Sequence, residues 1–164
     1  MRESTTSYSD GILSLPNSFD TLPQRGQRIR VKFIPNHSNS MDYIRFYFCA
    51  NGENGSSVEN GYRWQSRRYS GSANRLRVFN SDGTIQRIAS NSDSIDHGDM
   101  HESRIDLRKN GTDVQLTNLN TNDIKTKLVT DDTTFDTGEF GFGFRSRYSG
   151  TTTHWIDEIQ IENI

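Results

Sequence analysis

At 164 residues the chain is long enough to bury the core of a single domain, yet only 30% of its residues are apolar and its mean hydropathy is -0.83. Nine Phe, six Tyr and two Trp exclude a disordered chain, because each ring removes a large area from water; the composition points to a thin two-layer fold with wet outer faces. A formal charge of -2 supplies no global field for nucleic acid or an anionic membrane.

The charge is unevenly spread. Most basic residues lie between Arg25 and Lys109, the stretch 113–136 is acid-rich, and Arg greatly outnumbers Lys. Such a bias reflects source composition first, or else a salty environment or planar recognition of acidic groups. A lone cysteine, Cys49, excludes an internal disulfide and reads as inert packing. There is no apolar run of membrane-spanning length, and residues 1–10 lack the apolar centre of a signal peptide, so neither insertion nor a leader is expected.

In chain order, residues 1–9 read as a flexible arm and 10–164 as one domain. Asp10-Gly11 marks a turn before a short strand at Ile12–Leu15. Arg28–Ile34 alternates Ile29, Val31 and Phe33 against Arg28, Arg30 and Lys32, the pattern of a half-buried strand. Tyr43–Ala50 sets Ile44, Phe46 and Phe48 against Tyr43, Arg45, Tyr47 and Cys49. Residues 51–60 are too polar for core and read as a long loop. Strand patterns follow at Gly61–Ser66 and Arg75–Phe79, and Asn80-Ser81-Asp82-Gly83 is a hairpin signal leading to Thr84–Ala89. After a polar loop at 90–100, His101–Lys109 and Asp113–Leu119 flank an Asn110-Gly111 turn, and Ile124–Val129 precedes an acidic loop.

The end of the chain carries the clearest pattern. Phe140, Phe142 and Phe144 lie at period two with Gly141 and Gly143 between them. After a Ser/Gly/Thr-rich link, Trp155, Asp157, Ile159 and Ile161 share one parity. This reads as a terminal hairpin with one acid, Asp157, on its apolar side. No window shows a helical apolar stripe, and strand-sized pieces recur every 10–15 residues or so, so the expectation is an all-β antiparallel sandwich or barrel.

The order of strand signals, the Asn110-Gly111 turn, the run Gly138–Arg145 and the closing Trp155–Ile161 resemble the concanavalin A-like lectin/glucanase superfamily, with its laminin-G-like and carbohydrate-binding modules. The resemblance covers the chain from about Asp10 to Ile164. It implies a two-sheet antiparallel jelly roll with first and last strands adjacent, and glycan binding at a sheet face or rim loops. It also implies a structural Ca²⁺ near Asp157, with loop carbonyls such as those of Asp10, Asn51 or Gly52 as further ligands. The plainer alternative is that a buried Asp157 carboxylate accepts hydrogen bonds without a metal. No other cofactor is required.

The glucanase branch carries an E-x-D-x-x-E strand that sets acids on one face for retaining hydrolysis. Here the nearest string, Asp157–Glu162, lacks that spacing, so an enzyme is not expected. His97, Asp99 and His101, with Asp93 or Asp96, have the spacing of transition-metal ligands, against the ordinary reading of a wet turn. The stronger candidate is a binding surface of Tyr43, Arg45 and Tyr47, Tyr62 and Trp64, Arg67 and Arg68, and Arg145, Arg147 and Tyr148. Aromatic faces stack on sugar C–H surfaces, and Arg forks grip hydroxyls or acidic groups; the competing reading makes the rings core and the arginines a solvated face.

The expected function is therefore non-catalytic recognition, most simply of a glycan or surface polysaccharide, at an extracellular, cell or virion surface. The alternative is a structural or attachment module of a virion (spike, turret or fibre head) or cell-surface assembly, a homo-oligomer working through protein contacts. Nucleic-acid binding by the Arg-rich strands is a weaker third option.

Overall fold

The computed structural model describes the backbone of residues 2–5, 11–14, 22–36, 43–54, 57–67, 74–145 and 152–164, and the side chains of 22–36, 44–51, 60–67, 74–143 and 154–164. Twelve strands are present in them: β1 (Arg2–Thr5), β2 (Gly11–Ser14), β3 (Gln27–Ile34), β4 (Tyr43–Asn54), β5 (Ser57–Arg67), β6 (Asn74–Phe79), β7 (Ile85–Asn91), β8 (His101–Arg108), β9 (Gly111–Asn118), β10 (Asp123–Thr130), β11 (Glu139–Arg145) and β12 (Thr152–Asn163). They form two six-stranded antiparallel sheets. The first runs β1-β12-β3-β8-β9-β10 and the second β2-β11-β4-β5-β6-β7.

Alternation in the sequence becomes a two-layer core. Ile29, Val31 and Phe33 of β3, Ile105 and Leu107 of β8, and Val114 and Leu116 of β9 face Ile44, Phe46 and Phe48 of β4, Tyr62 and Trp64 of β5, Leu76 and Val78 of β6, and Phe140 and Phe142 of β11. Phe33 meets Phe46 edge-on across the layers at 5.4 Å between centroids. The outer face of the first sheet is a lattice of ion pairs. Arg28 grips Asp106 with two bonds, Arg30 reaches Glu102 and Glu162, Lys32 meets Glu158, and Arg108 meets Asp113.

Four sequence expectations change. Residues 2–5 of the expected arm are a strand, β1, whose backbone pairs with β12. The expected loop at 51–60 is largely strand, with β4 and β5 still paired at Asn54 and Ser57. The terminal pair is not a hairpin: β11 lies in the second sheet beside β2 and β4, β12 in the first beside β1 and β3. Finally, the ladder between β12 and β3 skips one residue between Ile156 and Glu158. This bulge reverses the parity, so Ile156, Ile159 and Ile161 pack on the core while Asp157 is exposed and Trp155 is 46% exposed.

A second bulge sits in β4 after Phe48, where Cys49 takes φ 46° and turns its thiol into the core. Two glycines press on it. A Cβ on Gly61 would lie 2.6 Å from the Ala50 Cα, and one on Gly138 2.5 Å from the Cys49 carbonyl carbon; both glycines have positive φ. Gly138→Ala is expected to cost about 2–3 kcal/mol or more, seen as a fall in Tm of roughly 5–10 °C. An unchanged Tm would mean that this kink is not rigidly held.

Candidate functional site

The outer face of the second sheet is built quite differently from that of the first. Residues of β4–β6 opposite in parity to Phe46, Trp64 and Leu76 point away from the core, and the ladder aligns them in two rows. One runs Gly141–Tyr47–Arg63–Arg77–Arg87, the other Gly143–Arg45–Gln65–Arg75–Ser90. The β11 ends of both rows are glycine, so a floor without side chains adjoins a wall of Tyr, Gln and Arg.

Exposure along the first row rises from Tyr47 at 1% and Arg63 at 7%, through a half-buried Arg77, to an exposed Arg87 at the sheet edge. Tyr47, Ala50 and Phe79 form an apolar cluster on this face, and the Arg63 guanidinium lies 4.5 Å from the centroid of the Phe79 ring.

Among the described side chains of β4–β7 the charges are of one sign, while the neighbouring β11 carries the exposed Glu139. Stretches 43–51, 60–67, 74–79 and 85–91 contain six arginines and neither Asp nor Glu. Burial pushes the Arg63 guanidinium down to about 10, the charges of Arg45 and Arg77 push the same way, and only the Tyr47 phenol counteracts them. Cations drawn partly out of water commonly find a carboxylate within the protein, as the half-buried Arg28 does with Asp106. Chemically, the rows hold planar donor forks, a phenol and an amide beside two buried glycines; Tyr47, Gln65, Arg45 and Arg63 are almost fully buried, so the half-buried Arg75 and Arg77 and the exposed Arg87 are the members within reach of a hydroxyl-rich or anionic ligand.

No family model and no curated protein sequence matches the chain. Solved structures do match. The carbohydrate-binding module CBM66 from Bacillus subtilis superposes with a TM-score of 0.64 at 11% identity, covering 99% of this chain and 95% of the module. Sheep galectin-11, in complex with glycerol, gives 0.57 at 10% identity over 96% of this chain and 99% of its own. The exoplasmic/lumenal domain of VIP36 in its Ca²⁺/Man2-bound form gives 0.66 at 12% identity over 88% and 68%. The fold is a concanavalin A-like jelly roll. A GH43 protein and a family 7 alginate lyase also match, so this jelly roll occurs in binding modules and in enzymes alike.

Within this concanavalin A-like jelly roll the sequence-derived surface is only partly assembled. Arg45 and Tyr47 lie on the outer face as expected, both almost fully buried, and Arg67 lies half-buried at the end of β5. Tyr43 and Arg145 are register partners there, their side chains lying outside the described residues; Arg68, Arg147 and Tyr148 lie outside them altogether. Tyr62 and Trp64 are removed from the surface. Both are 0% exposed on the inner side of β5, Trp64 donating from Nε1 to Ser103 Oγ at 2.8 Å and Tyr62 donating its hydroxyl proton to Asp132 at 2.6 Å. Arg63, Gln65, Arg75 and Arg77, absent from the sequence-derived set, are what the ladder adds. Their signal was the parity opposite to Tyr62, Trp64, Leu76 and Val78.

The metal expectations also change. With Asp157 exposed at the bulge, no desolvated carboxylate demands a cation there. His97 is exposed, whereas the buried His101 ring donates from Nδ1 to the Asp99 carbonyl at 2.9 Å, and the Asp99 carboxylate accepts from Asn118. Among the described residues no group of three or more His, Cys, Asp or Glu side chains is arranged to hold a metal.

His101 makes a pH sensor of stability instead. Burial holds its pKa below the usual histidine value, so the unfolded chain binds the proton more readily. Stability is expected to be full above about pH 6.5 and to fall as pH drops from there toward the folded pKa. Asp96 and Asp132 add a lower window. Burial opposes their ionisation, but bonds from Lys125 and Asn118 to Asp96, and from Tyr62 and Thr134 to Asp132, hold both below the usual aspartate range. Their contribution is complete above about pH 3.9 and is lost as pH falls through the folded values. Tm followed from pH 8 to 3 should show both windows, and His101→Gln should remove the slope of the upper one. A Tm independent of pH between 7 and 5 would contradict this.

Proposed function

We propose that the chain is a non-catalytic recognition module that binds glycan on the outer face of its second sheet. The observation that carries this reading is the double row of Tyr47, Arg63, Arg77, Arg45, Gln65 and Arg75 beside the glycine floor of β11, in a jelly roll shared with a protein named as a carbohydrate-binding module. Retaining or inverting hydrolysis needs a pair of carboxyl groups flanking the scissile bond. The described side chains of β4–β7 include no such pair, and the acids of the other sheet's outer face are engaged with Arg and Lys. Recognition places the module where glycans are displayed, at a cell or particle surface. Among the described residues no helix is long and apolar enough to cross a membrane.

The test is a broad glycan panel run beside assays for new reducing ends and unsaturated products. Saturable binding without product is expected from a chain that light scattering sizes as a monomer. Product formation would make the chain an enzyme; a defined oligomer that binds no glycan would favour a structural module working through protein contacts.

A further inference from the structure

Residues 92–100 form a strap that carries the chain from β7 in the second sheet to β8 in the first. It contains no strand or helix of its own and is held by a few separate pins. Ile95 is 1% exposed in the core, and its N–H donates to the Arg67 carbonyl at the end of β5, at 3.3 Å. The Gly98 N–H donates to the Pro35 carbonyl just beyond β3, at 2.9 Å. The wholly buried Asn118, at the end of β9, donates from its amide to the carboxylates of Asp96 and Asp99 at 2.8 and 2.7 Å. Asp96 also meets the Lys125 ammonium at 2.8 Å. The strap thus fastens strand ends of both sheets. Its Asp93, Ser94 and Asp96, with Asp123, Ile124 and Lys125 at the start of β10, wall a cleft of about 460 Å³.

The last pin can change its charge. His101, where the strap enters β8, is 0% exposed and lies against the Phe33 ring, the centroids 5.9 Å apart. Its Nδ1 donates to the Asp99 carbonyl at 2.9 Å, and its Nε2 has no partner. In the neutral ring Nε2 presents only a lone pair to the core. Protonation adds a second N–H there with no acceptor, and a charge out of reach of water. The charged groups bearing on the ring are Asp96 and Asp99 of the strap and Lys125 of β10. Its register partners, Phe33 of β3 and Asn118 of β9, carry no charge. The two carboxylates an imidazolium would seek are therefore the two that Asn118 pins.

We propose that His101 is the catch of a pH-sensitive strap. Neutral, it holds residues 92–100 shut against both sheets. Protonated, it leaves the core for the Asp96 and Asp99 carboxylates, breaks their bonds from Asn118 and releases the strap while the rest of the sandwich stays folded. The closed form binds the proton less readily than an exposed histidine does, so acid favours the open form. With an ordinary pKa of about 6.5 for the opened ring, a drop from pH 7.5 to 5 shifts the balance toward release by up to about thirtyfold.

Amide hydrogen exchange of the full chain, resolved by residue at pH 7.5, 6.5 and 5 and corrected for the intrinsic pH dependence of exchange, tests this. Protection at Ile95 and Gly98 is expected to fall tenfold or more from pH 7.5 to 5, whereas Phe46 and Trp64, inside the second sheet, keep theirs. His101→Gln, which cannot take the proton, should hold strap protection constant within twofold over the same range. His97→Gln, at an exposed position of the same strap, should show the parent's full fall. In the parent, the His101 ring carbon resonance should titrate with a midpoint below about 6.5, a measurement that stands even where His101→Gln does not fold. Strap protection independent of pH would overturn the switch. So would a fall shared equally by Phe46 and Trp64, which is global unfolding, an undiminished fall in His101→Gln, or a ring midpoint above that of an ordinary histidine.

Discussion

Replacing Arg25 by alanine is expected to cost about 3–5 kcal/mol and to lower Tm by roughly 10–15 °C. Arg25 plugs one end of the sandwich, its side chain only 12% exposed. Its Nη1 donates to the carbonyls of Gly111 at 2.6 Å and Arg108 at 3.3 Å and to Thr112 Oγ1; its Nη2 donates to the Phe135 carbonyl at 2.9 Å and the Tyr62 hydroxyl at 3.1 Å. One guanidinium thereby ties the β8–β9 turn, β5 and the 131–136 loop together. Without it several buried acceptors lose their donor at once, and each carries its own desolvation cost. Arg25→Lys should recover only a small part, because an ammonium has neither the reach nor the fork to serve both sides. A Tm within a few degrees of the parent in Arg25→Ala would show that water replaces these bonds freely.

Trp64→Ala should be comparably damaging, about 3–5 kcal/mol, from the cavity left by a wholly buried indole. Trp64→Phe separates the two contributions. It keeps most of the ring but leaves Ser103 Oγ without its cross-sheet donor, and should cost about 1–3 kcal/mol. Any loss of ligand binding in Trp64→Ala should therefore track loss of near-ultraviolet dichroism. Binding lost with the native spectrum intact would return Trp64 to the recognition surface.

The layer assignment was readable from the sequence because period-two alternation is a property of single strands. Ile29, Val31 and Phe33 had to share a face whatever their neighbours, and so did Phe140 and Phe142. Pairing is a different matter. A turn-rich link between two strand patterns suggests a hairpin, but nothing local reveals that β11 and β12 enter different sheets. Residues 2–5 show no apolar alternation because an edge strand can hold by its backbone bonds, and a bulge leaves no mark in composition, so Asp157 and Trp155 were assigned to the wrong side. The site suffered in the same way. Arg75 and Arg77 were visible as the polar face of one strand, and Tyr62 and Trp64 looked like ligands because they are aromatic. Only the register sets Arg63 beside Arg77.

The most direct measurement is a backbone amide shift map of the isotopically labelled chain, titrated with fragments of whichever polysaccharide it binds best. Shifts concentrated in 44–47, 62–66 and 74–79, and largely abolished in Arg63→Gln, are expected. Shifts concentrated instead in 28–32, 102–108 and 158–162, on the ion-paired sheet, would contradict the assignment of recognition to the arginine rows.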